Sequence, residues 1–431
     1  MRLIINPALK ERQQLFQRPA QGNVPESVVK GVFDEIQQNG DVAIRRFTEK
    51  YDGIIRDNFR VGSKEIAEQA AKVSSEMVEA LSQAIKNIRV FHQTQFIKPQ
   101  RVMTMPGVYC WMESRPIERV GLYVPGGSAP LFSTLCMLVI PAQVAGVKEI
   151  ILCTPPNKEG TIDPAMAWAL QFLEVDDVCL VGGIQAIAGM AIGTKWIPKV
   201  QKIYGPGNQY VEAAKQFATK YNVAYDLPAG PSEVLVLADD DSNPVFVASD
   251  LLAQAEHDAL AQVGVIARSA AWVEQCQAEL KKQLEVLPRK EIAAASLVSS
   301  WFIVANSEKE QILWSNEYAP EHLIIHMDNA MDLKADIVNA GSVFLGKWTP
   351  ESLGDYASGT NHTLPTYGWA KQYSGVSVFS FQKQITFQEA EPVGLENIGS
   401  TVTTLARGEG LEGHARAVDT RLEYLKSKAK N

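Results

Sequence analysis

From about residue 118 the chain alternates short apolar runs with helix-like stretches, and that alternation limits the folds open to it. The runs are VGLYV (120–124), KEIILCT (148–154), DDVCLVG (176–182), KVQKIYG (199–205), SEVLVLA (232–238), VGVIARS (263–269), WFIVANS (301–307), HLIIH (322–326) and SVFLG (342–346). Runs apolar on both faces and separated by helices belong in parallel sheets covered on both sides. There are enough of them for two such sheets. The Gly/Pro breaks GLYVPGG and LPAGPSE place boundaries near 123 and 231. We therefore expect an α/β protein in four parts. These are an N-terminal helical segment (1–20), a main α/β domain (21–122 and 232–376), an inserted α/β domain (123–231) and a C-terminal helical tail (377–431). Residues 1–115 read as mostly helical, since KEIAEQAAKVSSEMVEALSQAIKNIRVFHQ (64–93) keeps apolar residues three to four apart for several turns.

Charge and composition remove several function classes. Lys and Arg number 41 and Asp and Glu 49, so the net charge is 41 − 49 = −8. Neither nucleic acid nor an anionic membrane is then expected as the main partner, because both demand a basic face. The N-terminus MRLIINPALK carries no signal-peptide pattern, and the greasiest segment, TLCMLVIPAQVAGV (134–147), is too short to span a bilayer. The five cysteines form no CxxC pair and most sit in apolar runs, as buried thiols do in a reducing compartment. A cytoplasmic protein is expected. Cys136, close to GLYVPGG, is a candidate for reaction with thiol reagents.

Glycine clusters mark sheet edges: VPGGSAP (124–130), VGGIQAIAG (181–189), YGPGNQY (204–210) and LPAGPSE (227–233). Ligands in open α/β sheets bind beyond the carboxyl ends of strands, where glycine lets backbone approach closely and helix starts offer N–H groups to phosphate. Each cluster alone is ordinary turn punctuation, and the dinucleotide pattern G-x-G-x-x-G is absent.

Gln254 and His257 in DLLAQAEHDA (250–259) are three apart, which places both on one helical face. An isolated pair of this kind is usually just hydrogen-bonded. A metal site would need further donors, and GDYASGTNHTLPT (354–366), read as a loop, offers Asp355 and His362. Glu409 and His414 lie in EGLEGHARA, where five helical positions separate side chains by about 140°. In YAPEHLIIH, Glu321 and His322 form an acid–imidazole pair before a strand, suited to proton handling, while His326 reads as structural.

Together these strings resemble histidinol dehydrogenases. The markers, in order, are GLYVPGGSAPLFST, GGIQAIAG, YGPGN, DLPAGPSEVLV, DLLAQAEHD, PEHLII, GSVFLG, ESLGDYASGTNHTLPT and EGLEGHA, covering nearly the whole chain from QRPA (17–20). HDALAQ differs slightly from the family's usual residues after the histidine. The resemblance implies two Rossmann-like domains, one inserted in the other, and a zinc ion held by Gln254, His257, Asp355 and His414. It implies Glu321 and His322 as the acid–base pair, and Ser232, His362 and Glu409 as substrate contacts beside His322 and the zinc ligands. Tyr123, Gln185 and Asn208 match residues around NAD. The family oxidises L-histidinol to L-histidine through L-histidinal with two NAD in turn, as a homodimer whose C-terminal segment crosses to the partner's site. Rival readings are a paralogue acting on another amino alcohol, a zinc hydrolase in which Glu321 activates water, and a noncatalytic metal-binding scaffold.

Overall fold

The computed structural model describes residues 1–20, 22, 24–126 and 130–429. Residues 127–129 of the first glycine cluster lie outside that set. The described residues divide into two compact units, Met1–Gln95 with Ile117–Phe381, and Phe96–Pro116 with Gln382–Asn431.

The larger unit holds two sheets, each with helices on its faces. The first runs, in spatial order, Arg2–Ile5, Trp301–Val304, Gln262–Ala267, Glu233–Ala238, His322–His326 and Ser342–Leu345. Every neighbouring pair is parallel. The central strands are buried along their length, which is why they read as unbroken apolar runs. Alternation assigns their side chains to faces. Val234, Val236, Ala238 and Ile324 pack with Val247, Leu251 and Ala255 of the helix Pro244–Ala255. Leu235, Leu237, Leu323 and Ile325 pack on the other side with Phe16, Trp301 and Tyr318.

The second sheet is ordered Arg60–Val61, Val178–Cys179, Glu149–Cys153, Arg119–Tyr123, Lys202–Tyr204 and Ala224–Tyr225. Its strands are parallel apart from the antiparallel edge strand Arg60–Val61. Both sheets repeat one topology. Two strands step outward from a founding strand, Glu233–Ala238 or Arg119–Tyr123, to meet an edge strand from earlier in the chain, and the chain then returns to the founding strand's other flank. The α/β expectation, with two largely parallel sheets, is met.

Three local expectations change. The chain starts with a strand, Arg2–Ile5, and not a helix, because its apolar residues complete the first sheet's edge against Trp301–Val304. The helices Glu26–Asn39, Asp41–Asp52 and Ser75–Gln93, assigned from sequence to the main domain, bury Phe33, Ile44 and Ile88 in the core of the second sheet. The segment expected to be a helical tail (377–431) includes a nine-residue strand, Gln382–Ala390, after the short helical turn Val378–Phe381.

That strand belongs to the smaller unit. It pairs antiparallel with Val108–Pro116, which pairs with Val102–Met105. The helices Pro392–Gly408 and Glu412–Lys428 follow, and a Cβ at Gly399 would meet Leu422 Cδ1 at 2.8 Å, so glycine permits the close helix approach. No helix among the described residues is long and apolar enough to cross a membrane.

Candidate active site

The candidate acid–base pair, Glu321 and His322, is set by a helix-to-strand corner. The helix Glu308–Tyr318 ends on Ala319 in the left-handed region (φ +53°), Pro320 prevents further helix, and the strand starts at His322. His322 shares parity with Ile324, so it faces the helix Pro244–Ala255. Its Nδ1 lies 3.2 Å from the Glu233 carbonyl and 3.6 Å from Glu321 Oε2. The Glu233 N–H donates to Glu321 Oε2 at 2.8 Å. One residue thus holds both members of the pair through its backbone.

Gln254 sits in the last turn of Pro244–Ala255, buried, and His257 follows in the closing turn, where its N–H donates to the Gln254 carbonyl at 3.2 Å. The shared helical face expected for the two is therefore a helix end and the turn continuing it. Asp355 lies in a short helix, Glu351–Tyr356, and not in a loop. The proline and acid that open that helix are start signals masked by the Gly/Ser-rich residues downstream.

Glu351 and Asp355, four apart, face the same way. Donor atoms of His257, Glu351 and Asp355 lie within 4.8 Å of one another. Hydrogen-bond partners fix the Gln254 amide with its nitrogen toward Glu351, donating to Oε2 at 3.2 Å and also to Oε1. His322 Nε2 stands 3.3 Å from Asp355 Oδ1. Both atoms are buried without a well-formed hydrogen bond. His362 Nδ1 reaches the Asp355 carbonyl at 3.0 Å, and its Nε2 reaches Thr134 Oγ1 at 2.9 Å. Ser232 precedes the strand Glu233–Ala238 and accepts from the Gln262 N–H at 3.1 Å.

The cluster is electrostatically tense. Burial disfavours the charged form of His322, but Glu351, Glu321 and Asp355 outweigh it and raise the imidazole well above its usual value. Burial pushes Glu321 up despite His322, and pushes Glu351 up further. Burial would also raise Asp355, yet the imidazoles of His322, His362 and His257 hold it below the ordinary range. Burial lowers His257 and His362. Closely set nitrogen and oxygen donors with an excess of carboxylate, buried at Gln254 and Glu351, half-buried at Asp355 and exposed at His257, suit a borderline divalent cation such as zinc.

The second sheet carries the other candidate. A cavity of about 880 Å³ opens where its strand order reverses, beyond the carboxyl ends, and Tyr123, Thr154, Gly182, Gln185 and Asn208 line it. All three residues matched to the dinucleotide are there. Tyr123 accepts from the Gly183 N–H at 3.1 Å, and burial pushes its hydroxyl up to about 12, so it stays protonated. Asn208 caps the helix Gln209–Ala218, accepting from Tyr210 and Val211 N–H. Gly205 (φ +121°) passes so near Tyr123 that a Cβ would lie 1.9 Å from the Tyr123 carbonyl oxygen. Lys215 donates to the Gly205 carbonyl and to Asp226, each at 2.9 Å, and fixes that approach.

In this sheet the cavity lies at the carboxyl ends. In the first sheet the cluster gathers at the amino ends of the strands at 233 and 322. Glu409 and His414 are exposed residues of the smaller unit, one capping Pro392–Gly408 and the other in the first turn of Glu412–Lys428. Glu351 was missed from sequence, though its spacing to Asp355 carried the signal. Cys136 is fully buried and its thiol is pushed up to about 12 by burial, so the expected reactivity is not supported.

A family model described as histidinol dehydrogenase matches residues 17–422. The chain is 48% identical over 429 residues to a histidinol dehydrogenase of Bacteroides thetaiotaomicron, covering 99% of this chain and 100% of the relative. It is 45% identical over 431 residues to one of Vibrio parahaemolyticus, covering 99% of each. A crystal structure of histidinol dehydrogenase from Elizabethkingia anophelis superimposes with a TM-score of 0.97 at 48% identity, covering 99% of both chains. An acetylating aldehyde dehydrogenase from Geobacillus thermoglucosidasius (TM-score 0.50, 12% identity, 87% of this chain and 93% of that one) shares the fold alone.

Proposed function

The chain belongs to the histidinol dehydrogenase family and is an oxidoreductase, and from that premise we propose that it oxidises L-histidinol to L-histidine through L-histidinal, using zinc and NAD. The observation that carries the reading is the meeting of the Glu321–His322 pair with the donor cluster of Gln254, His257 and Asp355.

The hydrogen bonds divide the work. His322 Nδ1 points at the Glu233 carbonyl and so carries a proton; a divalent cation among the carboxylates that raise the imidazole would offset them and free Nε2, directed at the cluster, to remove the alcohol proton. Glu321 has one oxygen fixed by the Glu233 N–H, and its other oxygen would activate water in the second oxidation. Its burial makes it a stronger base than an exposed carboxylate. Zinc, held by Gln254, His257 and Asp355 together with His414, would anchor the amino alcohol and retain the aldehyde between steps. NAD, seated against Tyr123, Gln185 and Asn208, would accept hydride in each of two turns. Ser232, His362 and Glu409 are proposed substrate contacts.

We further propose a homodimer in which the smaller unit supplies Glu409 and His414 to the partner's site. Exposed apolar residues of that unit, among them Met103, Met112, Leu405 and Leu411, support an interface there.

The test is stoichiometric. Two NADH per L-histidinol, lost on chelation and regained with zinc, is the expected result. One NADH per molecule points to a different alcohol dehydrogenase, and activity indifferent to chelation removes the metal.

A further inference from the structure

We propose that Glu351 is a positioning residue that locks the Gln254 amide so that its oxygen, and not its nitrogen, is the atom offered to the metal. The inference rests on the zinc-dependent reading above and adds a residue to it.

A glutamine is a poor metal ligand because its amide can rotate by half a turn at little cost and present a nitrogen that has no lone pair to give. Something must break that symmetry. Gln254 is 1% exposed and Glu351 2% exposed, so water does not do it. The Gln254 nitrogen instead donates to both oxygens of the Glu351 carboxylate. An ionised carboxylate has only acceptors, and a cation bound among Gln254, His257 and Asp355 would favour that form against the burial that raises it, so the reversed amide would set oxygen against oxygen in a dry site. The short helix that carries Glu351 also carries Asp355 one turn later, and a single rigid element therefore orients one ligand and supplies another. Burying a carboxylate beside Asp355 is costly without such a role.

The rival assignment makes Glu351 itself a ligand, since its oxygens lie within 4.8 Å of donor atoms on His257 and Asp355. Charge separates the two. Glu351→Gln keeps an acceptor at the same reach but removes the anion. Glu351→Leu keeps volume and removes the acceptor, and Glu351→Asn withdraws it by one methylene. Metal-stripped protein is titrated with zinc against a chelator of known affinity, without turnover, and cobalt(II) loading reports the ligand set by its visible spectrum.

The expected result is a zinc affinity lowered by less than about tenfold for E351Q, whose amide can still accept through its oxygen but can also turn, with a loss of about 10- to 100-fold for E351L and E351N. The cobalt spectrum should be unchanged in E351Q and altered in the other two. Should leucine prevent folding, as judged by circular dichroism, the comparison of E351Q with E351N carries the same decision. Wild-type affinity in E351L or E351N overturns the assignment. So does a loss in E351Q equal to that in E351L or E351N, which would make the carboxylate a ligand. Wild-type protein that takes up no zinc overturns this assignment together with the reading beneath it.

Discussion

Arg18 grips Glu233 with two parallel hydrogen bonds, Nε to Oε1 at 3.0 Å and Nη2 to Oε2 at 2.9 Å, on the face of the sheet opposite His322. The guanidinium also stacks 3.7 Å from the Tyr318 ring centroid and donates to the Tyr318 carbonyl at 2.7 Å. Glu233 in turn holds Glu321 and His322 through its backbone. An N-terminal residue thus reaches the reaction centre without touching it.

Replacing Arg18 by alanine leaves a buried carboxylate unpaired. The expected loss is about 3–5 kcal/mol of stability, read as a lower thermal midpoint. The turnover number should fall about 10- to 100-fold as the pair drifts, with KM for the alcohol changed little. Lysine should recover only part, since an ammonium cannot match the two-pronged contact.

Gly205→Ala should damage nucleotide binding selectively. The added carbon would sit 1.9 Å from the Tyr123 carbonyl oxygen at a backbone angle of +121°. The strands at 119–123 and 202–204 must separate, and the dissociation constant for NAD should rise about tenfold or more. Calorimetric titration with NAD checks this, while zinc uptake should be unaffected.

Asp250 predicts a pH signature. Burial raises its carboxyl from 3.8 to about 7. The native state therefore holds a proton that the unfolded state releases, and stability present below pH 4 is lost as pH climbs through 7. Asp250→Asn should remove this dependence. It should stabilise metal-stripped protein on the order of 4 kcal/mol at pH 8 and hardly at all near pH 4. Thermal midpoints across that range decide the matter, and an equal gain at both ends would refute it.

Shared sites predict complementation. His257→Ala and His414→Ala homodimers should each be inactive, whereas subunits of the two refolded together should regain activity, because one of the two sites in a mixed dimer draws both intact residues. Heterodimers that form and stay inactive would show that each subunit completes its own site.

Buried parallel strands announced themselves in the sequence as apolar runs, from VGLYV to SVFLG. Antiparallel strands in QKQITFQEA (382–390) did not, since one face meets solvent and apolar residues are sparse. Arg60–Val61 is two residues long and forms only because a partner edge is available. The shared topology of the two sheets leaves no sequence repeat, as packing constrains polarity and volume more than identity. In the site, Gln254, His257, Asp355, Glu321 and His322 were found by residue type and family likeness. Glu351 was not, because its helix hides beside a glycine-rich loop and its partner is an amide nitrogen whose orientation only the fold reveals.

The loop after Asp355 is stitched to the helix Phe132–Ala145 of the second sheet, by Asn361 Nδ2 to the Met137 carbonyl at 2.5 Å and by His362 to Thr134. The second stitch also joins that helix to the donor cluster, since His362 Nδ1 reaches the Asp355 carbonyl. A small molecule leaving the crevice cannot do so by hinging this helix outward without dragging the imidazole that abuts Asp355. On the proposed reading, a nucleotide exchanging in the crevice would leave by a route that spares this helix, and a molecule held at Asp355 would keep its place meanwhile.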